Sequence, residues 1–190
     1  MAVDLAGFIT YLKDHAVEHG FHVHDERHFI ESYSLRQAWE VDMHPDFACD
    51  GPLDLNLAFD VEPRTLLALE DAARENDELE DPEGRFNVPL LFNWSLPPLG
   101  SPPDLVVLSA ELSGVAGIDL PIEISAVDSY EALADGPTRR LSMVGRFIVP
   151  LIDVMFGREK LCDVLDRSRE TSEAILRMSE DWKVRDTEPE

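Results

Sequence analysis

The chain has 190 residues, and its 39 Asp and Glu against 16 Lys and Arg give a formal net charge of −23. A surface this acidic repels nucleic-acid backbones and anionic lipid, so we expect neither a nucleic acid nor a membrane as partner, and it favours basic partners or cations. The length and a hydrophobic content of 44% are enough for one sizeable core, which predicts a single domain over residues 1–190.

The two cysteines favour a reducing compartment. Cys49 and Cys162 are far apart in the chain and form no C-x-x-C pair, so a disulfide framework is not expected. The first residues contain neither a basic nor an apolar leader segment, and no stretch approaches the roughly 18 apolar residues of a membrane helix. We therefore predict a cytoplasmic protein.

Two amphipathic helices are predicted at the ends of the chain. Asp4 is a suitable cap for a first helix that ends at Gly20, and a second helix is predicted over about 158–182. Pro63 can begin a short helix that continues to about Arg74. The acidic segment 75–84 is predicted to be a solvated loop, and residues 186–190 a frayed tail.

Alternating apolar and polar residues predict the strands between these helices. The predicted strands cover residues 33–44, 53–61, 86–96, 105–112, 120–127 and 141–151. Strands with one apolar face need a cover, which amphipathic helices can provide. The predicted fold class is therefore α+β: two layers, with an about six-stranded, mainly antiparallel sheet and the N- and C-terminal helices packed on one face.

The histidines form the first candidate site, because five of the six lie within residues 15–28. Four of them are candidate metal ligands: His15, His19, His22 and His24. The segment from His15 to His19 reads H-x-x-E-H and resembles the inverzincin metalloproteases over these five residues. That resemblance implies zinc bound by His15 and His19, with Glu18 as the catalytic base.

A structural role is the competing interpretation of these histidines. Imidazoles in the last turn of a helix interact favourably with its negative end. His22 and His24 lie in a strand-like segment, and the following residues Asp25-Glu26-Arg27 predict an exposed turn. Cys49, five residues after His44, is a further candidate for a nucleophile–base pair.

A second candidate site is the polar face of the first predicted strand pair. If the two strands pair, the carboxylates of Glu40, Asp42, Asp54 and Asp60 share one surface. Such a surface could receive a basic protein or peptide or a divalent cation. The alternative is an ordinary solvated sheet face, because alternation alone requires polar residues there.

Known catalytic and cofactor motifs are absent from the sequence, which has no P-loop, no G-x-G-x-x-G and no G-x-S-x-G. The favoured hypothesis is a non-enzymatic cytoplasmic accessory protein that binds through its acidic sheet face or an edge strand, with a homodimer as one outcome. One alternative is a small-ligand-binding protein or enzyme with a pocket between the sheet and the C-terminal helix. Another is a His-based metal-binding protein with zinc as the candidate ion; apart from this alternative, no cofactor is expected.

Overall fold

A computed structural model describes residues 3–34, 36–49, 51–75, 79–130 and 137–182. Its helices are α1 (Leu5–Glu18), α2 (Pro63–Glu75), α3 (Leu105–Ala116), α4 (Leu151–Phe156) and α5 (Cys162–Ser179). Its strands are β1 (Phe21–Ile30), β2 (Gln37–Pro45), β3 (Asp54–Val61), β4 (Asn87–Ser95), β5 (Ile122–Ser129) and β6 (Thr138–Pro150). A 3₁₀ turn, Asp46–Ala48, follows β2.

The six strands form one open sheet in the order β1-β2-β3-β4-β6-β5, and every neighbouring pair is antiparallel. Alternate side chains of the inner strands are buried and lie against the helices, whose own apolar faces join the same cluster. Helix α1 begins where the Asp4 carboxylate accepts a hydrogen bond from Gly7 N, as expected for an N-cap. The predicted α+β class, with terminal helices covering an antiparallel sheet, is confirmed.

The sheet and α5 are joined in the centre of the core by one hydrogen-bonded pair. Trp94 on β4 has no exposed surface, and its indole Nε1 donates to Ser172 Oγ at 2.9 Å. The Ser172 hydroxyl in turn donates to the carbonyl of Ser168 at 2.8 Å. This arrangement satisfies the polar end of a large aromatic residue that would otherwise be costly to bury.

Two of the strand predictions are wrong in detail. Residues 105–112 belong to helix α3, because Asp104 caps the main-chain N–H groups of Val106 and Val107 and starts a helix there. The sixth strand is instead β1, which continues through Asp25-Glu26-Arg27, where a turn was expected. It is an edge strand, and charged residues are common on such edges.

The ends of other elements also differ from prediction. The strand predicted from residue 33 begins at Gln37, and Tyr33 is fully exposed. Residues 151–156 form α4, and the last helix starts at Cys162. Residues 76–78 of the predicted acidic loop and the whole predicted tail 186–190 lie outside the described residues. The prediction of a single domain over 1–190 stays a prediction.

Among the described residues, no helix combines the length and apolar composition of a membrane span.

Candidate metal centre

The antiparallel pairing of β1 with β2 places histidines from both strands on one surface. His22 lies directly opposite His44, and their neighbours Val23 and Met43 are also paired. Since Phe21 and Met43 are buried against the helices, His22 and His44 project from the opposite side of the sheet. We call this side the polar face.

A β-bulge places a third imidazole on the same site. The β1–β2 register shifts between Val23 and Asp25, at the position of His24. A bulge redirects the side chain of the extra residue. His24 Nε2 lies 2.9 Å from His44 Nδ1 and 3.2 Å from its Nε2.

The fourth polar side chain comes from the turn after β2. Cys49 follows the 3₁₀ turn, and its thiol donates to the carbonyl of Asp46 at 3.0 Å. The Asp46 N–H donates to the carbonyl of Gly20 at 2.9 Å, which fixes this turn beside the start of β1. As a result, Cys49 Sγ lies 3.0 Å from His22 Nδ1.

One ligand atom from each of His22, His44 and Cys49 lies within 4.8 Å of the other two. His22 and Cys49 are exposed, and His44 is half-buried, so solvent has access to the cluster. We call these three residues together with His24 the His–Cys cluster.

The spacing of these atoms suits a tetrahedral transition-metal ion. Zn–S and Zn–N bonds of about 2.3 and 2.0–2.1 Å put tetrahedral ligand atoms about 3.3–3.6 Å apart. The Cys49–His22 and His24–His44 pairs, at 3.0 and 2.9 Å, are a few tenths of an ångström closer than this. Thiolate and imidazole ligands favour zinc and copper over calcium and magnesium. To reach the dimensions of a zinc site, side-chain rotations would have to open these two pairs and draw together the ligand atoms of His22, His44 and Cys49, which lie within 4.8 Å of one another.

The four predicted metal ligands do not lie together. His22 and His24 belong to the His–Cys cluster, whereas His15 and His19 lie at the end of α1. His19 Nδ1 is 2.6 Å from Asp166 Oδ1 on α5, and the ring of His15 contacts that of Tyr11 at 4.0 Å between centroids. The prediction of a metal at His15 and His19 rests on the five-residue resemblance alone.

Sequence reasoning did not place His44 and Cys49 with the metal ligands. The Cys49 thiol lies 3.0 Å from His22 Nδ1, a contact that its spacing in the chain did not indicate, and the predicted pairing of Cys49 with His44 stays a prediction. Two histidines two residues apart in a strand were the available signal, because such residues share a face. The strand register and the turn that supplies the thiol could not be deduced from it.

The predicted acidic face is partly neutralised by arginines. Arg27 on β1 forms ion pairs with Glu40 at 3.1 Å and Asp42 at 2.9 Å. Arg36 pairs with Asp60 through its Nε at 2.7 Å, and this hydrogen bond, helped by the carboxylate charge, raises the pKa of Arg36. Within the described part of the chain, Asp54 alone of the four predicted carboxylates forms no ion pair.

The predicted pocket between the sheet and the C-terminal helix stays a prediction: the core beneath Phe92 and Trp94 is packed, whereas a cavity lies between Phe147 of β6 and the first half of α5. Phe92 and Trp94 have no exposed surface, and Trp94 is hydrogen-bonded to α5. Phe147 is only partly buried, because it lies towards the outer edge of the sheet.

Fold and site together define an α+β protein with an open antiparallel sheet and a His–Cys cluster where an edge strand meets a turn. Comparison with protein families, curated proteins and solved structures found no match to this chain.

Proposed function

We propose that this protein binds a transition-metal ion of the zinc class through the His–Cys cluster. The observation that carries the proposal is the convergence of ligand atoms from His22, His44 and Cys49 within 4.8 Å, although they come from two strands and a turn. Clustered nitrogen and sulfur donors with solvent access are the usual basis of zinc sites. His24, in hydrogen-bonding distance of His44, supplies a third nitrogen and thus a fourth ligand atom.

The bound ion would hold the edge of the sheet in place. It would link β1 to β2 and to the following turn, so that metal binding contributes directly to the stability of this corner. At free zinc a hundredfold above Kd, the stabilisation is about 2.7 kcal/mol. For a chain of this length that corresponds to a rise in melting temperature of about 5–11 °C.

The test is titration of chelator-treated, reduced protein with Zn²⁺ and with Co²⁺. We expect one equivalent of metal, a higher melting temperature, and a thiolate-to-cobalt charge-transfer band. Cys49→Ser removes the band, whereas Cys162→Ser keeps it, since Cys162 is the other exposed free cysteine and lies on α5.

Histidine variants separate this site from the end of α1. His22→Ala and His44→Ala are expected to lower metal affinity, and the double variant His15→Ala, His19→Ala is expected to retain it. Equal zinc-dependent melting shifts in Cys49→Ser and wild-type protein would contradict the proposal. Loss of binding only in the α1 double variant would instead favour the inverzincin-like pair.

A reducing, cytoplasmic location is part of this proposal, because a thiolate ligand needs protection from oxidation. Docking of a basic peptide on the polar face is a second candidate, supported by the exposed, unpaired carboxylate of Asp54. The ion pairs of Arg27 and Arg36 reduce its charge complementarity, so the metal-binding function is better supported.

A further inference from the structure

Strand β6 extends beyond the strand that pairs with its outer side. Strand β5 pairs with β6 only as far as Ile122 opposite Gly145, whereas β4 pairs with the other side as far as Pro150. Arg146 N donates to the carbonyl of Pro121 at 3.1 Å, and beyond this bond no described strand lies along the outer side of β6. We call the space beside residues 146–150 on this side the edge groove.

A cavity of about 820 Å³ occupies the edge groove, between the residues before β5 and the first half of α5. A second cavity of about 270 Å³ shares Phe147, Ile148 and Lys160 with it. The lining of the larger cavity includes three consecutive residues of β6, Arg146 to Ile148, whose side chains alternate between the two faces of the sheet. A cavity under one face would be lined by every second residue, so this cavity lies beside the strand, in line with the sheet.

The main chain of β6 offers hydrogen bonds to this space. The N–H of Arg146 points towards the β5 side, so the N–H and C=O of Ile148, two residues on, point the same way. The chain before β5 cannot fill the position, because Pro121 has no N–H and Leu120 is fully buried in the core. An added strand would therefore find at Ile148 a donor and an acceptor that no described main-chain group pairs with.

The side chains around the groove indicate which strand would fit. On the helix-covered side, Phe147 with the buried Leu120 and Val164 forms an apolar floor, and the exposed α5 residues along the groove are charged: Asp163, Asp166, Arg167 and Glu170. On the polar face, Arg146 is exposed and forms no ion pair with any described residue. The complementary strand has an apolar side chain over Phe147 and a carboxylate opposite Arg146.

We propose that the edge groove binds an extended peptide segment of a partner protein, as an added strand antiparallel to β6, with an apolar residue over Phe147 and an acidic residue facing Arg146. Strand addition of this kind takes its affinity from main-chain hydrogen bonds and its specificity from alternate side chains. The site lies on the outer side of β6, whereas the His–Cys cluster lies on β1 at the other end of the sheet, so this proposal is independent of metal binding.

The probe is a dye-labelled, end-blocked pentapeptide, Ile-Thr-Val-Glu-Val, and binding is followed by fluorescence anisotropy at 0.15 M salt, where screening limits repulsion by the net charge. We expect a peptide with Lys in place of Glu to bind about three- to fivefold more weakly, as for one exposed ion pair. A peptide with N-methylated amides is expected to bind at least tenfold more weakly, because it cannot form main-chain hydrogen bonds with β6.

Variants of β6 locate the binding site. Arg146→Glu is expected to reverse the preference between the Glu and Lys peptides, whereas Arg140→Glu leaves it unchanged. Arg140 is a matched control because it is exposed on the same strand but paired with Val127 of β5. Ile148→Pro removes the outward N–H together with the Ile148 side chain that lines the groove, and it is expected to weaken binding of both peptides, with an unchanged far-ultraviolet circular dichroism spectrum as the check on folding.

Three results would overturn the proposal. The first is no binding of any peptide to wild-type protein, and the second is equal binding of the N-methylated peptide. The third is a wild-type dimer that Ile148→Pro converts to monomer, which would identify a second copy of this chain as the occupant.

Discussion

Removal of one buried hydroxyl group in α5 tests the centre of the core. In the Ser172→Ala variant, the indole N–H of Trp94 loses the acceptor that lies 2.9 Å away in wild-type protein. Neither residue has exposed surface, so water cannot replace the bond without a change in packing. A buried donor left without a partner costs about 1–3 kcal/mol.

For a chain of this size each kcal/mol lowers the melting temperature by about 2–4 °C, so the expected fall is about 2–12 °C. The assay is differential scanning calorimetry of wild-type and variant protein at neutral pH. Tryptophan fluorescence provides a second readout, because the environment of Trp94 changes when its hydrogen bond is lost.

Helix α5 contains its own controls. Ser168 and Thr171 are also fully buried, but their hydroxyl oxygens have no hydrogen-bond partner in the described part of the chain. Ser168→Ala leaves intact the carbonyl that accepts from Ser172, and Thr171→Val keeps the shape of the side chain. Both variants should melt at or above the wild-type temperature. An equal fall in melting temperature in Ser168→Ala and Ser172→Ala would refute the stabilising role of the hydrogen bond from Trp94 to Ser172.

Two glycines and one ion pair give further predictions. Gly145→Ala places a methyl group 2.9 Å from the Trp94 ring and should lower the unfolding free energy by about 1–3 kcal/mol in urea denaturation. Gly114→Ala, in α3, adds a carbon with no atom within 4 Å among the described residues apart from its own helix backbone and chain neighbours, and should raise the unfolding free energy by about 0.5–1 kcal/mol; a lower unfolding free energy would contradict the helical, open position of residue 114. The hydrogen bond from Arg139 lowers the pKa of Asp128, so the pair stabilises the protein above the ordinary carboxyl pKa of 3.8, and this contribution is lost as the pH falls through the lowered value. The urea midpoint of Asp128→Asn should therefore lie below that of wild type at pH 7 and approach it at pH 3, and a constant difference would argue against the pair.

The strands with one buried face could be predicted from sequence because their alternation is regular. In β3 and β4 every second residue is buried. Residues 105–112 were wrongly predicted to form a strand, because a short apolar run fits either a strand or a buried helix. Asp104, directly after a proline pair, and the buried residues Leu108, Leu112 and Ala116 at intervals of four were the helical signal.

The candidate site could be predicted only in part, since its residues come together through tertiary structure. His22 and His24 were found because they are close in the chain, but closeness also suggested His15 and His19. The chain reverses direction at Gly20, which separates the helix-borne imidazoles from those on the strand. His44 and Cys49 join the cluster through strand register and turn geometry, which a single sequence does not specify.

The reversal at Gly20 also bears on how the cluster could change over time. Gly20 has φ +80°, a conformation that favours glycine, and its carbonyl accepts the Asp46 N–H that positions the Cys49 turn. Main-chain contacts thus fix where the Cys49 turn lies relative to the start of β1, whereas side-chain rotations set the final distance between thiol and imidazole. Under the proposed metal-binding function, single substitutions at positions 22, 24, 44 or 49 would exchange nitrogen, sulfur and oxygen donors on this backbone, so metal preference would change without any redesign of the fold.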